Sequence, residues 1–174
     1  MEAEGILTVL AEVAIAIAGF SGIAVALQGR SGSWSETDKL RFSMLLQVSL
    51  SCVFWSLVPI VLHLIYASEP FVWSWSSGIW LFSIICLVSY RIRQRPRIPD
   101  QEADQVYRAA RVFIFSLLGI SVLLQIANVG WLRIPWPHVV TVMLGLLITA
   151  FLFIRLLRRV VEPAAQQADE ADVE

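Results

Sequence analysis

Five long apolar runs constrain this chain more than any other feature. A helix needs about 20 consecutive apolar residues to cross a bilayer core, and several of these runs reach that length. Core helices of soluble domains are shorter and alternate with polar faces. Composition agrees: 57% of the 174 residues are hydrophobic and 16% are charged, where a soluble domain carries about 25% charged. The expected fold is all-α: an integral membrane protein with a five-transmembrane-helix bundle. One transmembrane domain covers residues 1–161, and 162–174 reads as an acidic flexible tail rich in Ala, Gln, Asp and Glu.

Breakers and caps place the helices at about 6–28, 36–66, 71–90, 101–132 and 138–161. Gly29 to Trp34 interrupts the first run, and Ser35 with Glu36, Thr37 and Asp38 reads as a capping box for the second. Pro59 is expected to kink helix two. Ser68-Glu69-Pro70 is a turn. Trp73, Trp75 and Trp80 then read as an interfacial aromatic belt. A basic, proline-broken loop follows, and Asp100 is a plausible N-cap for helix four. Arg133 to Pro137 turns the chain into helix five. The leading residues Met1-Glu2-Ala3-Glu4-Gly5 carry no basic region, so the first run is read as a mature helix and not a signal peptide.

Charge sets the expected orientation. Net charge is −1, but the 13 Lys and Arg residues are segregated. With the N-terminus outside, Arg30, Lys39, Arg41, Arg91, Arg93, Arg95, Arg97, Arg108, Arg111, Arg155, Arg158 and Arg159 all fall on the cytoplasmic side. Arg133 alone falls outside. The positive-inside rule therefore gives N-out/C-in, and the expected location is a bacterial inner membrane, multi-pass.

Several residues stand out against this frame. Glu12 lies about two turns inside the outer end of helix one, where a carboxylate must be neutralised, paired or wet. His63, Gln125 and Asn128 are expected at a similar depth, so Glu12, His63, Gln125 and Asn128 form a candidate ion or polar cluster. Gln125 and Asn128 share a face by their spacing. The bland readings are a structural hydrogen bond for Glu12 and an interfacial position for His63. Ala14, Ala18, Gly22 and Ala26 recur every four residues, as small-residue stripes do where helix backbones meet in lipid. They are read as helix packing or pore lining. In helix two, Ser49, Cys52, Ser56, Pro59 and His63 make one polar stripe, and Ser43, Gln47 and Ser51 another. Thr141, Gly145 and Thr149 make a small stripe in helix five.

Arg91, Arg93, Arg95 and Arg97 read first as the topogenic signal and second as a site for anionic lipid headgroups or a partner. No base-reading pattern accompanies them, so no nucleic-acid role is expected. Cys52 and Cys86 read as free, buried thiols with no metal-ligand spacing. No P-loop, nucleophile elbow, zincin or dinucleotide motif occurs. No metal or cofactor is expected and the reading leans away from an enzyme. The only pair that could serve an intramembrane enzyme or proton-coupled carrier is Glu12 with His63.

The block from Ala11-Glu12 through Gly19-Phe20-Ser21-Gly22, followed by Trp34-Ser35-Glu36-Thr37-Asp38-Lys39-Leu40-Arg41, resembles small bacterial multi-pass inner-membrane proteins that carry no assigned activity. The resemblance covers about the first third of the chain. Gly22 to Gly29 is similar to the pore helix of small-conductance mechanosensitive channels over fewer than ten residues. The chain lacks the β-rich cytoplasmic domain that follows that helix in those channels. The resemblance implies that helix one lines an axis. The expected function is a homo-oligomeric ion channel or small permeation protein. The alternative is a non-catalytic interaction or scaffold subunit of a larger membrane complex.

Overall fold

A computed structural model of the chain describes residues 2–28, 36–66, 68–93 and 105–171. The apolar runs are helical because a helix satisfies every backbone donor and acceptor within its own segment, which an apolar solvent demands. The elements are α1 (Glu2–Gln28), α2 (Glu36–Ile65), α3 (Glu69–Arg93), α4 (Gln105–Ala127) and α5 (Pro135–Ala171), with a π-helical turn at Asn128–Leu132. All five α-helices are long and apolar enough to cross a membrane, and no strand occurs among the described residues.

Helix boundaries differ most from the sequence reading at three places, while α3 and the start of α5 each shift by two or three residues. α1 starts at Glu2, because Glu2 and Glu4 favour the positive end of the helix dipole. α4 ends as a π turn, and Arg133 then adopts a left-handed conformation, φ 51° and ψ 41°. That conformation costs a non-glycine residue about 1–2 kcal/mol, and the Arg133 N–H recovers part of it by bonding the Asn128 carbonyl at 3.2 Å. α5 runs to Ala171. The segment expected as a flexible tail is therefore helical through Ala171, since its Ala, Gln and Glu residues are strong helix formers.

α1 packs on α2 and α5, while α5 also meets α3 and α4, and α3 meets α2 and α4. Leu7, Ala14, Cys52, Trp55, Trp73, Trp80, Ile84, Val139, Val142 and Leu146 form the core. Only 17–33% of each apolar window is buried within the chain. The outer surface is consequently apolar, with Leu64, Phe82 and Leu123 at 68–83% exposure. A bundle in water would hide such side chains.

α3 turns two of its tryptophans inward. Trp73 and Trp80 are buried, and Trp75 alone of the expected belt is exposed. The reason is spacing: residues 73, 76, 77, 80 and 84 share one helical face, and that face is the packed one. Cys52 is free and buried, whereas Cys86, expected inside, is free and exposed.

The expected small stripes pack unequally. On α5, Thr141, Gly145 and Thr149 are all buried. A Cβ on Gly145 would lie 2.7 Å from Cys52 Sγ, so glycine is what lets α5 approach α2. On α1, Ala14 is fully buried, Ala18 and Gly22 are half-buried and Ala26 is exposed. Steps of four residues advance about 400° around a helix, so a strict i+4 stripe creeps about 40° per step and leaves the packed face. On α2, Ser49, Cys52, Ser56 and Pro59 are buried, while Ser43 on the second stripe is exposed.

Candidate functional site

The interior polar network starts from a missing donor. Pro59 has no N–H, so the carbonyl four residues earlier, at Trp55, loses its helical partner. His138, at the start of α5, takes that place: its Nε2 lies 2.9 Å from the Trp55 carbonyl oxygen and donates to it. This sets the tautomer, because Nδ1 is left as an acceptor. Gln125 Nε2 faces that nitrogen at 3.4 Å, a long hydrogen bond. Both side chains are fully buried. α2, α4 and α5 are thus joined by one chain of donors and acceptors.

Asn128 uses its amide differently. Its Nδ2 donates to Ser77 Oγ at 2.8 Å and, at 3.5 Å, approaches the Trp73 carbonyl. Its Oδ1 accepts the Ile134 N–H at 3.0 Å. Asn128 therefore ties α3 to the α4–α5 connection and caps the π turn. Ser74 Oγ adds a 3.2 Å bond to the Val129 carbonyl of the same turn. Trp55 Nε1 donates to Ser83 Oγ at 3.1 Å, and Ser83 Oγ to the Trp80 carbonyl at 2.8 Å. Ser49 Oγ bonds the Ala14 carbonyl and links α2 to α1.

The four residues expected as one cluster separate into three places. Gln125 and Asn128 share the interior with His138. His63 sits at the end of the bundle that carries the α1 amino terminus, with its Nδ1 2.7 Å from Glu4 Oε1. The contact is close but lies off the ring nitrogen's hydrogen-bond direction. Glu12 is exposed and makes no hydrogen bond or ion pair among the described residues. Helical phase explains the separation. Leu7, Ala14 and Ser21, spaced by seven, are fully buried against α2 and α5. Glu12 lies about 200° from Ala14 around α1, on the opposite side. His63 and Glu12 therefore do not meet within the chain.

Sequence reasoning missed two features. In the sequence His138 is simply the first residue of the expected helix five, although Pro59 implies an orphan carbonyl at Trp55 in α2. The exposed face of α1 is a heptad of Gly5, Glu12, Gly19 and Ala26. Seven residues advance about 700°, so this row drifts only about 20° per step and stays on one side. Apart from the neighbouring residues and nearby backbone of α1 itself, no atom lies within 4 Å of a Cβ built on Gly5 or Gly19.

Arg93 is exposed at the end of α3. Arg95, Arg97 and the Arg91 side chain lie outside the described residues. No set of three metal-ligating side chains gathers among the described residues. No protein family, no curated protein and no solved structure matches the chain.

Proposed function

We propose that this chain is a bacterial inner-membrane protein, N-out/C-in, that assembles with copies of itself through α1 and passes a small ion along the axis so formed. Exposure of Glu12 carries the reading. Glu12 stands about 15 Å from Glu2 at 1.5 Å per residue, near the middle of the 22-residue apolar span Glu2–Ile23. Facing hydrocarbon there, an acidic side chain costs about 2.5–3.5 kcal/mol or more. Facing an axial water path removes that cost. The glycines on the same face, Gly5 and Gly19, leave room for neighbouring backbones to approach closely. A ring of carboxylates at that depth favours cations.

Planar-bilayer recordings on the purified chain test this. The expected result is a cation-selective conductance that falls with Glu12→Gln. No conductance, or one indifferent to that substitution, overturns it. A stoichiometric foreign partner on the α1 face, found by co-purification, would favour an interaction subunit instead.

A further inference from the structure

Four helix ends meet where α1 begins, and they leave an open recess of about 490 Å³. Glu2 and Glu4 come from α1, His63 from α2, Glu69 and Trp73 from α3, and Trp136 from α5. Three carboxylates and two indoles therefore border one concavity, and no Lys or Arg among the described residues lines it.

Part of the acidic charge serves the helices themselves, since Glu2, Glu4 and Glu69 lie in the first turns of α1 and α3. Each helix N-terminus carries only about half a positive charge. Three N-termini offset about one and a half of the three negative charges, and about two and a half if His63 is protonated, while the C-terminal end of α2 adds about half a negative charge. The recess thus retains an excess of negative charge.

The walls are held in place. His63 touches Glu4 Oε1 at 2.7 Å and meets the Trp73 ring edge-on, centroids 5.8 Å apart. The Trp73 carbonyl faces Asn128, and its ring lies 6.3 Å from that of His138. Trp73 is 2% exposed and Trp136 is 48% exposed. One indole is thus a buried wall and the other is half-exposed at the rim.

We infer that this recess binds a small organic ammonium cation. A metal ion or sodium would need converging oxygen ligands in a tight shell, and no metal-ligand group forms among the described residues. The volume matches a small-molecule site. Weakly hydrated ammonium groups are what indole faces and nearby carboxylates attract together. The site is separate from Glu12, so it stands or falls independently of the conduction reading.

The test is titration of the full chain in nanodiscs with choline, read by calorimetry and tryptophan fluorescence, with empty nanodiscs as blank. The comparison ligand is its neutral isostere, with tert-butyl in place of trimethylammonium. Saturable binding of choline and none of the isostere is expected. Trp136→Ala and Glu69→Gln should each weaken binding roughly tenfold, as loss of one cation–π or charge contact implies, while Glu12→Gln leaves it unchanged. Both altered residues are exposed at helix starts, and unchanged thermal unfolding verifies the fold. Absent saturation, equal binding of the isostere, or indifference to both substitutions overturns the inference.

Discussion

His138 shows how one residue's backbone chemistry dictates another's side chain. Pro59 frees the Trp55 carbonyl, and the imidazole satisfies it across a helix interface. An unsatisfied buried carbonyl costs about 1–3 kcal/mol. His138→Ala should therefore lower unfolding stability by about that amount. In a Pro59→Ala background, residue 59 regains its N–H and serves the Trp55 carbonyl itself. The His138→Ala penalty should shrink there by about 1 kcal/mol, a coupling that a double-mutant cycle in detergent unfolding measures. Additive effects would show that the two residues act separately. Both partners were visible in the sequence, and the orphan carbonyl followed from Pro59 alone. Which side chain would reach it did not, because that depends on how α5 crosses α2.

At the scale of elements, the α2–α5 seam depends on two small groups in register. Gly145 faces Cys52, and the hypothetical Cβ contact of 2.7 Å is shorter than any real one. Gly145→Ala should destabilise the bundle by about 1–3 kcal/mol, as overpacking does. Cys52→Ala removes the opposing sulfur and should restore most of that loss in the double variant. Thermal unfolding checks both, and a Gly145→Ala effect that survives Cys52→Ala would point to a different neighbour. The Thr141, Gly145 and Thr149 stripe was legible from spacing alone. The α1 stripe was only partly legible. Four-residue spacing marks a spiral, and only Ala14 of that stripe is buried completely.

For the whole molecule, hydropathy accounts for the apolar surface and charge supports the proposed N-out/C-in orientation. Twelve of the 13 basic residues fall on one side of a five-span path, and moving such charge across a bilayer is costly. A fluorescent protein fused after Glu174 should therefore fluoresce, as it does only when folded in the cytoplasm, and a periplasm-dependent phosphatase fused there should be inactive. The reverse pattern would overturn the N-out orientation. The exposed α1 heptad belongs to this scale too. Its meaning lies in what covers it, and the proposed axial assembly gives Glu12 a hydrated neighbourhood that the single chain does not.

The sequence by itself determined the number of helices, most of their ends to within about four residues and the asymmetry of charge, but not the end of α5, which runs on to Ala171. Those properties are local: run length, breaker residues and composition decide them without reference to any neighbour. Tertiary structure decided which side of each helix is inside. It turned Trp73 and Trp80 inward, put Glu12 opposite the α2 contact and paired His63 with Glu4. It also joined His138 to a carbonyl 83 positions away. In a chain apolar around the whole circumference of its helices, hydrophobicity cannot choose the packed face. Small residues and orphan hydrogen-bonding groups choose it, and they act only when the helices meet.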